Sequence, residues 1–163
     1  MHVFISYTRE KNDQGVVSLF YERYLSALCL YNTASSVFLD TVDIRTGDRF
    51  AKVIDKNLEH ADVFLPLLSP AWLMGDWCQK EYQGFCAHKT AQGKPLRVVP
   101  LLWVAREDFT LPNVGLSPIH LQMFGQFMDE IQCEDWSRLR LGNWNETELK
   151  TAVANLARLT FSA

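Results

Sequence analysis

Val63-Phe64-Leu65-Pro66-Leu67-Leu68 is an uninterrupted apolar run, and Val98-Val99-Pro100-Leu101-Leu102-Trp103 is a second of the same character. Short continuous runs without alternation are expected of strands buried on both faces. Two further apolar runs, His2–Tyr7 and Ser36–Leu39, bring the strand candidates to four, with the long ones spanning Asp62–Leu68 and Arg97–Trp103. Proline lacks a ladder donor, so Pro66 and Pro100 are expected near strand ends or at irregularities.

Helical patterns separate these runs. Over Gln14–Tyr31 the apolar face is Val17, Phe20, Tyr24, Leu28 and Tyr31, with Leu25 beside it. Over Gly47–Ala61 it is Phe50, Val53, Ile54, Leu58 and Ala61. Both follow the three-and-four spacing of a helix packed on a sheet. A third helix is predicted from Asp76 to about Thr90, opened by a capping-box-like Asp76/Gln79 pair. A last one is predicted from Asn145 to about Leu159, with Leu149, Val153 and Leu156 on one side. Strand–helix alternation implies parallel strands with right-handed crossovers. The expected fold is α/β, a flavodoxin-like three-layer sandwich around a central parallel sheet of about five strands in order 2-1-3-4-5. Residues 104–144 are punctuated by Pro112, Gly115, Pro118, Gly125 and Gly142, and a short fifth strand is expected around Leu121–Phe127.

The chain of 163 residues has the length of one domain, 1–163. Its 48% hydrophobic and 21% charged residues are those of a globular domain and exclude global disorder. A net charge of −3 provides no chain-wide basic field for nucleic acid. The longest charge-free run, Thr110–Met128, contains Pro112, Asn113, Gly115, Pro118 and His120, so no membrane span is expected. Met1–Tyr7 is too short for a signal peptide and Arg9, Glu10, Lys11 and Asp13 follow, so a cytoplasmic location is expected. Cys29, Cys78, Cys86 and Cys133 are then expected as thiols. They contain no C-x-x-C, and His2, His60, His88 and His120 are scattered, so no metal site is expected.

With strand order 2-1-3-4-5, ligands bind at the carboxyl ends of strands one and three. Those strands end at Ser6-Tyr7-Thr8-Arg9 and Ser69-Pro70, and Trp72–Glu81 follows directly. Trp77 and Glu81 are four apart and share a helix face. An indole beside a carboxylate suits a flat ligand that is cationic or becoming so. The plainer reading of the spacing alone is a core tryptophan beside a solvated glutamate. Arg9 could bind a phosphate or be a solvated loop charge. Phe50 could stack on a base or join the core. Asp40–Arg49 is a long polar loop of the kind that binds partners or forms a connector. Strands one and three lack the metal-binding acids of a receiver domain. There is no Ser/Thr-rich phosphate loop, G-x-G-x-x-G, Walker motif or G-x-S-x-G.

Four segments in order resemble a Toll/interleukin-1 receptor (TIR) domain over nearly the whole chain. Val3–Arg9 (V-F-I-S-Y-T-R) resembles its first box, and Val37–Phe50 its second strand, BB loop and following helix. Leu67–Trp72 (L-L-S-P-A-W) and Trp77–Glu81 (W-C-Q-K-E) resemble its S-P…W-C-x-x-E segment. The W-C-x-x-E form is similar to the NAD-consuming branch, known from bacterial, plant and some animal proteins. The resemblance implies that Glu81 is the catalytic glutamate and Trp77 the tryptophan at the nicotinamide pocket. It implies substrate-binding roles for Tyr7, Arg9, Phe50 and Ser69. It implies a BB loop, including Asp40, Asp43, Ile44, Arg45 and Gly47, that governs assembly. The chain departs from the family's pattern at Gly75, where serine is frequent, and at Tyr82, where leucine is frequent.

The resemblance implies an NAD+ glycohydrolase yielding nicotinamide and ADP-ribose or a cyclic form. NAD+ is the substrate, with no metal and no resident cofactor. It further implies activation by homotypic assembly with other TIR domains, a sensor domain or chain, and a role in immune defence or cell suicide. A non-catalytic TIR scaffold is the alternative, and an N-glycosidase acting on free nucleosides or nucleotides is a third.

Overall fold

The computed structural model describes residues 1–8, 15–39, 48–129, 131, 133–143 and 146–162, with the side chains of 48–50 outside the description. The elements in chain order are β1 (His2–Ser6), α1 (Val16–Tyr31), β2 (Ser36–Leu39), α2 (Asp48–His60), β3 (Val63–Leu68), α3 (Pro70–Met74) and α4 (Asp76–Ala91). They continue with β4 (Leu101–Leu102), α5 (Pro118–Asp129), β5 (Glu134–Asp135) and α6 (Thr147–Ser162). The strands form one sheet in order β2-β1-β3-β4-β5, and every pairing is parallel.

Alternation along the strands divides the core into two layers. Val3 and Ile5 of β1 and Val63, Leu65 and Leu67 of β3 face α1 and α6, packing on Phe20, Tyr24, Leu28, Val153 and Leu156. Phe4, Phe64 and Leu68 face the other way, onto Ile54 and Leu58 of α2, Trp72 of α3, Phe85 of α4 and Phe127 of α5. Ser6 shares the parity of Phe4, so it stands on the α2–α4 side at the carboxyl end of β1.

Pro66 lies inside β3 rather than at its end, paired with Ser6 of β1. Its irregularity falls on the other edge. Phe64 donates to the Arg97 carbonyl at 3.0 Å and accepts from the Val99 amide at 2.9 Å. The next rung in that register would need an N–H on Pro66, which has none. The fourth strand is therefore reduced to Leu101–Leu102, shorter than the expected Arg97–Trp103, and Pro100 stands immediately before it.

Several local expectations give way to tertiary context. Leu121–Phe127 is not a strand but the middle of α5. Pro118 opens this helix, Ser117 accepts the Leu121 amide at 3.1 Å, and Phe124 and Phe127, three apart, are the buried positions. The fifth strand is instead Glu134–Asp135, recruited by pairing with Leu101–Leu102. The Asp76/Gln79 capping box does not form, because Gln79 Nε2 donates to the Leu73 carbonyl and Gly75 occupies the N-cap. Tyr31 and Val53 are exposed rather than core, since each lies at the margin of its helix's apolar stripe. The last helix is described from Thr147, and Asn145 lies outside the described residues. All four cysteines are free thiols. Among the described residues no helix is long and apolar enough to cross a membrane.

Candidate functional site

The strand edge, α3 and the first turns of α4 converge on one carboxylate. Ser69 caps α3, its Oγ accepting the Trp72 amide at 3.1 Å with Pro70 at the first helical position. That turn carries the fully buried Trp72 under the end of β1. Trp72 Nε1–H donates to Ser6 Oγ at 3.0 Å, and Ser6 Oγ–H donates to Glu81 Oε2 at 2.5 Å. An indole N–H can only donate, so the serine oxygen must accept from Trp72. The serine's single proton is directed at Glu81 Oε2, which accepts it.

Burial inverts the plain reading of the Trp77/Glu81 pair. Glu81 is only 3% exposed, whereas Trp77 is 41% exposed. The carboxylate lies deep and the indole stands at the rim. They line one groove of about 400 Å3 between α2 and α4, within the range of small-molecule sites. Ala51, Lys52, Ile54, Asp55 and Leu58 form its α2 wall, and Trp77, Lys80, Glu81 and Gly84 its α4 wall. Apolar surface from Ile54 and Leu58 thus faces a single deep carboxylate, with Lys52, Asp55 and Lys80 in the remaining lining.

Contacts beyond Gly84 hold the two walls together. His88 Nε2 lies 2.8 Å from Asp55 Oδ1. At the far end, Lys89 Nζ and Gln92 Nε2 each donate at 3.1 Å to the Glu59 carbonyl in the last turn of α2. Lys89 is nearly fully buried, with Nζ 5.4 Å from the Phe85 ring centroid. Burial holds its ammonium below the usual lysine range, helped by Lys94 and opposed by Asp62 and Glu59.

The other sequence candidates are distributed differently. Tyr7 packs its side chain with the α1–α6 layer, as strand parity requires, and its carbonyl accepts from Cys78 Sγ at 3.7 Å. Ser69 is buried as the α3 cap, 3.5 Å from Thr8 Oγ1. Arg9, the loop residues Asp40, Asp43, Ile44, Arg45 and Gly47, and the Phe50 side chain lie outside the described residues. Ser6 and Trp72 fall within the segments that the topology singles out, but the sequence assigns neither an individual role. Strand parity could have signalled Ser6, because the parity of Phe4 puts it on the α4 side of β1. Among the described residues no three His, Cys, Asp or Glu side chains gather as a metal site.

A family profile described as TIR domain matches residues 3–139. A curated protein from Bacteroides thetaiotaomicron, the 2' cyclic ADP-D-ribose synthase BtTIR, is 28% identical over 112 residues. That match covers 61% of this chain and 37% of the relative, so the chain spans well under half of that protein's length. Among solved structures, the TIR domain of the Toll-related receptor TRR-2 from Hydra magnipapillata shares the fold with a TM-score of 0.55 and 17% identity, over 98% of this chain and 97% of that one. The TIR domains of the activated Roq1 resistosome recognizing the effector XopQ align with a TM-score of 0.48 and 14% identity, over 97% of this chain and 84% of that one.

Proposed function

We propose that this chain, which belongs to the TIR-domain family, cleaves the nicotinamide–ribose bond of NAD+. The observation that carries this reading is the deep Glu81 carboxylate with the exposed Trp77 indole four residues before it on the same groove. The cyclic ADP-ribose synthase named among its relatives, from Bacteroides thetaiotaomicron, supports the same class of chemistry.

The chemistry needs few groups. Nicotinamide in NAD+ is a cationic pyridinium, so the C1'–N bond can break with its electron pair passing to nitrogen, and nicotinamide leaves neutral. No acid is required on the leaving group, unlike at ordinary glycosides, where two carboxylates divide the work. Positive charge moves onto the ribose as the bond breaks. The Glu81 carboxylate stabilises that charge from a preorganised, water-poor position and holds the ribose hydroxyls. Trp77 stacks on the departing ring. An oxygen of water then bonds to C1' and releases its proton, giving ADP-ribose. An internal hydroxyl of the same substrate gives a cyclic form by an equivalent step.

Activity is proposed to rise with homotypic assembly, and residues Asp40–Arg49 to govern it without touching the scissile bond. A role in immune defence or cell suicide, under a sensor domain or chain, is the biological setting this chemistry suits.

The test is chromatographic analysis of NAD+ incubated with wild type and Glu81→Gln at low and high protein concentration. Nicotinamide from wild type alone, increasing more steeply than concentration, is the expected result. No release from demonstrably assembled wild type overturns the reading and leaves a scaffold that binds other TIR domains.

A further inference from the structure

We propose that Ser6 is a positioning residue for Glu81, and that the Trp72 indole is what aims it. The inference rests on the NAD+-cleaving reading for its kinetic part and on geometry alone for its structural part.

Three buried groups form a one-way relay. Trp72 is fully buried and Ser6 is 1% exposed, so neither polar atom can turn to water instead. The indole has one proton and no acceptor, which fixes the direction of its 3.0 Å bond to Ser6 Oγ. Ser6 then has one proton left, and its partner at 2.5 Å is Glu81 Oε2. The indole takes one lone pair of Ser6 Oγ, the hydroxyl proton points at Oε2, and that oxygen of the carboxylate is thereby held. Ser6 therefore supplies orientation to a group that must meet a developing cation.

The anchor is rigid at each end. Ser6 ends β1 and is paired with Pro66 of β3. Trp72 is held by the α3 cap and by an edge-on contact with Phe127, ring centroids 5.6 Å apart. The charged groups that share the groove with Glu81 are Lys52 and Asp55 from α2 and Lys80 from α4.

Two readouts test this, one of them independent of turnover. In 15N–1H spectra of the whole chain, the Trp72 indole signal is assigned by its proximity to Phe127. It is expected to shift on acid titration in wild type, to stop responding in Glu81→Gln, and to move upfield in Ser6→Ala. The Glu81→Gln control separates Glu81 from Lys52, Asp55 and Lys80. In the kinetic arm, Ser6→Ala is expected to lower kcat by about 10- to 100-fold with little change in KM, as for a misaligned transition-state group. Ser6→Thr, which keeps the hydroxyl, is expected to restore most of it. A Trp72 signal indifferent to Glu81→Gln, or a folded Ser6→Ala with wild-type kcat, overturns the proposal. If wild type releases no nicotinamide, the NAD+ reading falls, and the indole titration still decides whether the relay exists.

Discussion

Gly84 on α4 lies against Leu58 on α2 so closely that an added β-carbon would stand 3.3 Å from Leu58 Cδ1. Both residues line the groove that holds Glu81. A mid-helix glycine costs about 1 kcal/mol relative to alanine. The obstructing atom is the end of a flexible leucine, which can move by a few tenths of an ångström. Gly84→Ala is therefore expected to raise the melting temperature slightly while narrowing the groove and lowering kcat/KM. A lower melting temperature would show that Leu58 cannot give way.

Trp77 is expected to act through its ring face rather than its burial. Stacking of an aromatic side chain on a base contributes about 1–3 kcal/mol by alanine substitution. Trp77→Ala should thus lower kcat/KM for NAD+ by about 5- to 150-fold, and Trp77→Phe by much less. Because the residue is 41% exposed, urea unfolding of either variant should stay close to wild type. A large stability loss with unchanged kinetics would return Trp77 to a structural role.

Ser69 serves α3 as its N-cap. Its Oγ accepts the Trp72 amide, so Ser69→Ala should cost about 1 kcal/mol, read as a lower urea midpoint at constant slope. Ser69→Thr should recover most of that loss. Unchanged stability in Ser69→Ala would exclude the capping role.

Tyr24 makes the fold sensitive to alkali. Burial raises its phenol above the ordinary 10.0, with the Thr160 hydrogen bond pulling the other way. Thr160 Oγ1 donates to the Leu156 carbonyl at 2.8 Å, so Tyr24 O–H donates to Thr160 at 2.6 Å. Above pH 10.0 the unfolded chain releases this proton first and the folded chain keeps it. The unfolded state then binds fewer protons, and stability falls as pH rises. Cys133, pushed up by burial to about 12, adds to the same slope, while the lowered Lys89 opposes it. Tyr24→Phe should cost about 1 kcal/mol at neutral pH and flatten the alkaline loss above pH 10. An identical slope in wild type and variant would remove Tyr24 from the explanation.

Much of this protein was legible in local pattern. The apolar runs His2–Tyr7, Ser36–Leu39 and Asp62–Leu68 predict the strands found at His2–Ser6, Ser36–Leu39 and Val63–Leu68, the third run being continuous because it needs cover on both faces. Apolar spacing predicts α1, α2 and α6, whereas α4 is predicted from an Asp76/Gln79 cap that does not form. Alternation of strands and helices implies a parallel sheet, and the observed order is the flavodoxin-like one expected of it. Trp77 and Glu81 were placed on one face by spacing alone, since positions four apart on a helix are neighbours.

Tertiary structure decided what spacing leaves open. Leu121–Phe127 carries apolar residues compatible with either period, and it became helix through the Ser117–Pro118 start and the pocket that takes Phe124 and Phe127. Glu134–Asp135 has no strand character of its own and is strand only because Leu101–Leu102 presents an open edge. Which of Trp77 and Glu81 lies deep could not be read from a helical wheel, because burial depends on where α2 crosses α4. The Ser6–Glu81 bond spans 75 positions and the Trp72–Ser6 bond 66. Periodicity carries information over a few residues. A buried carboxylate is accommodated only by donors that folding brings to it from distant elements, and that assembly has no local signature.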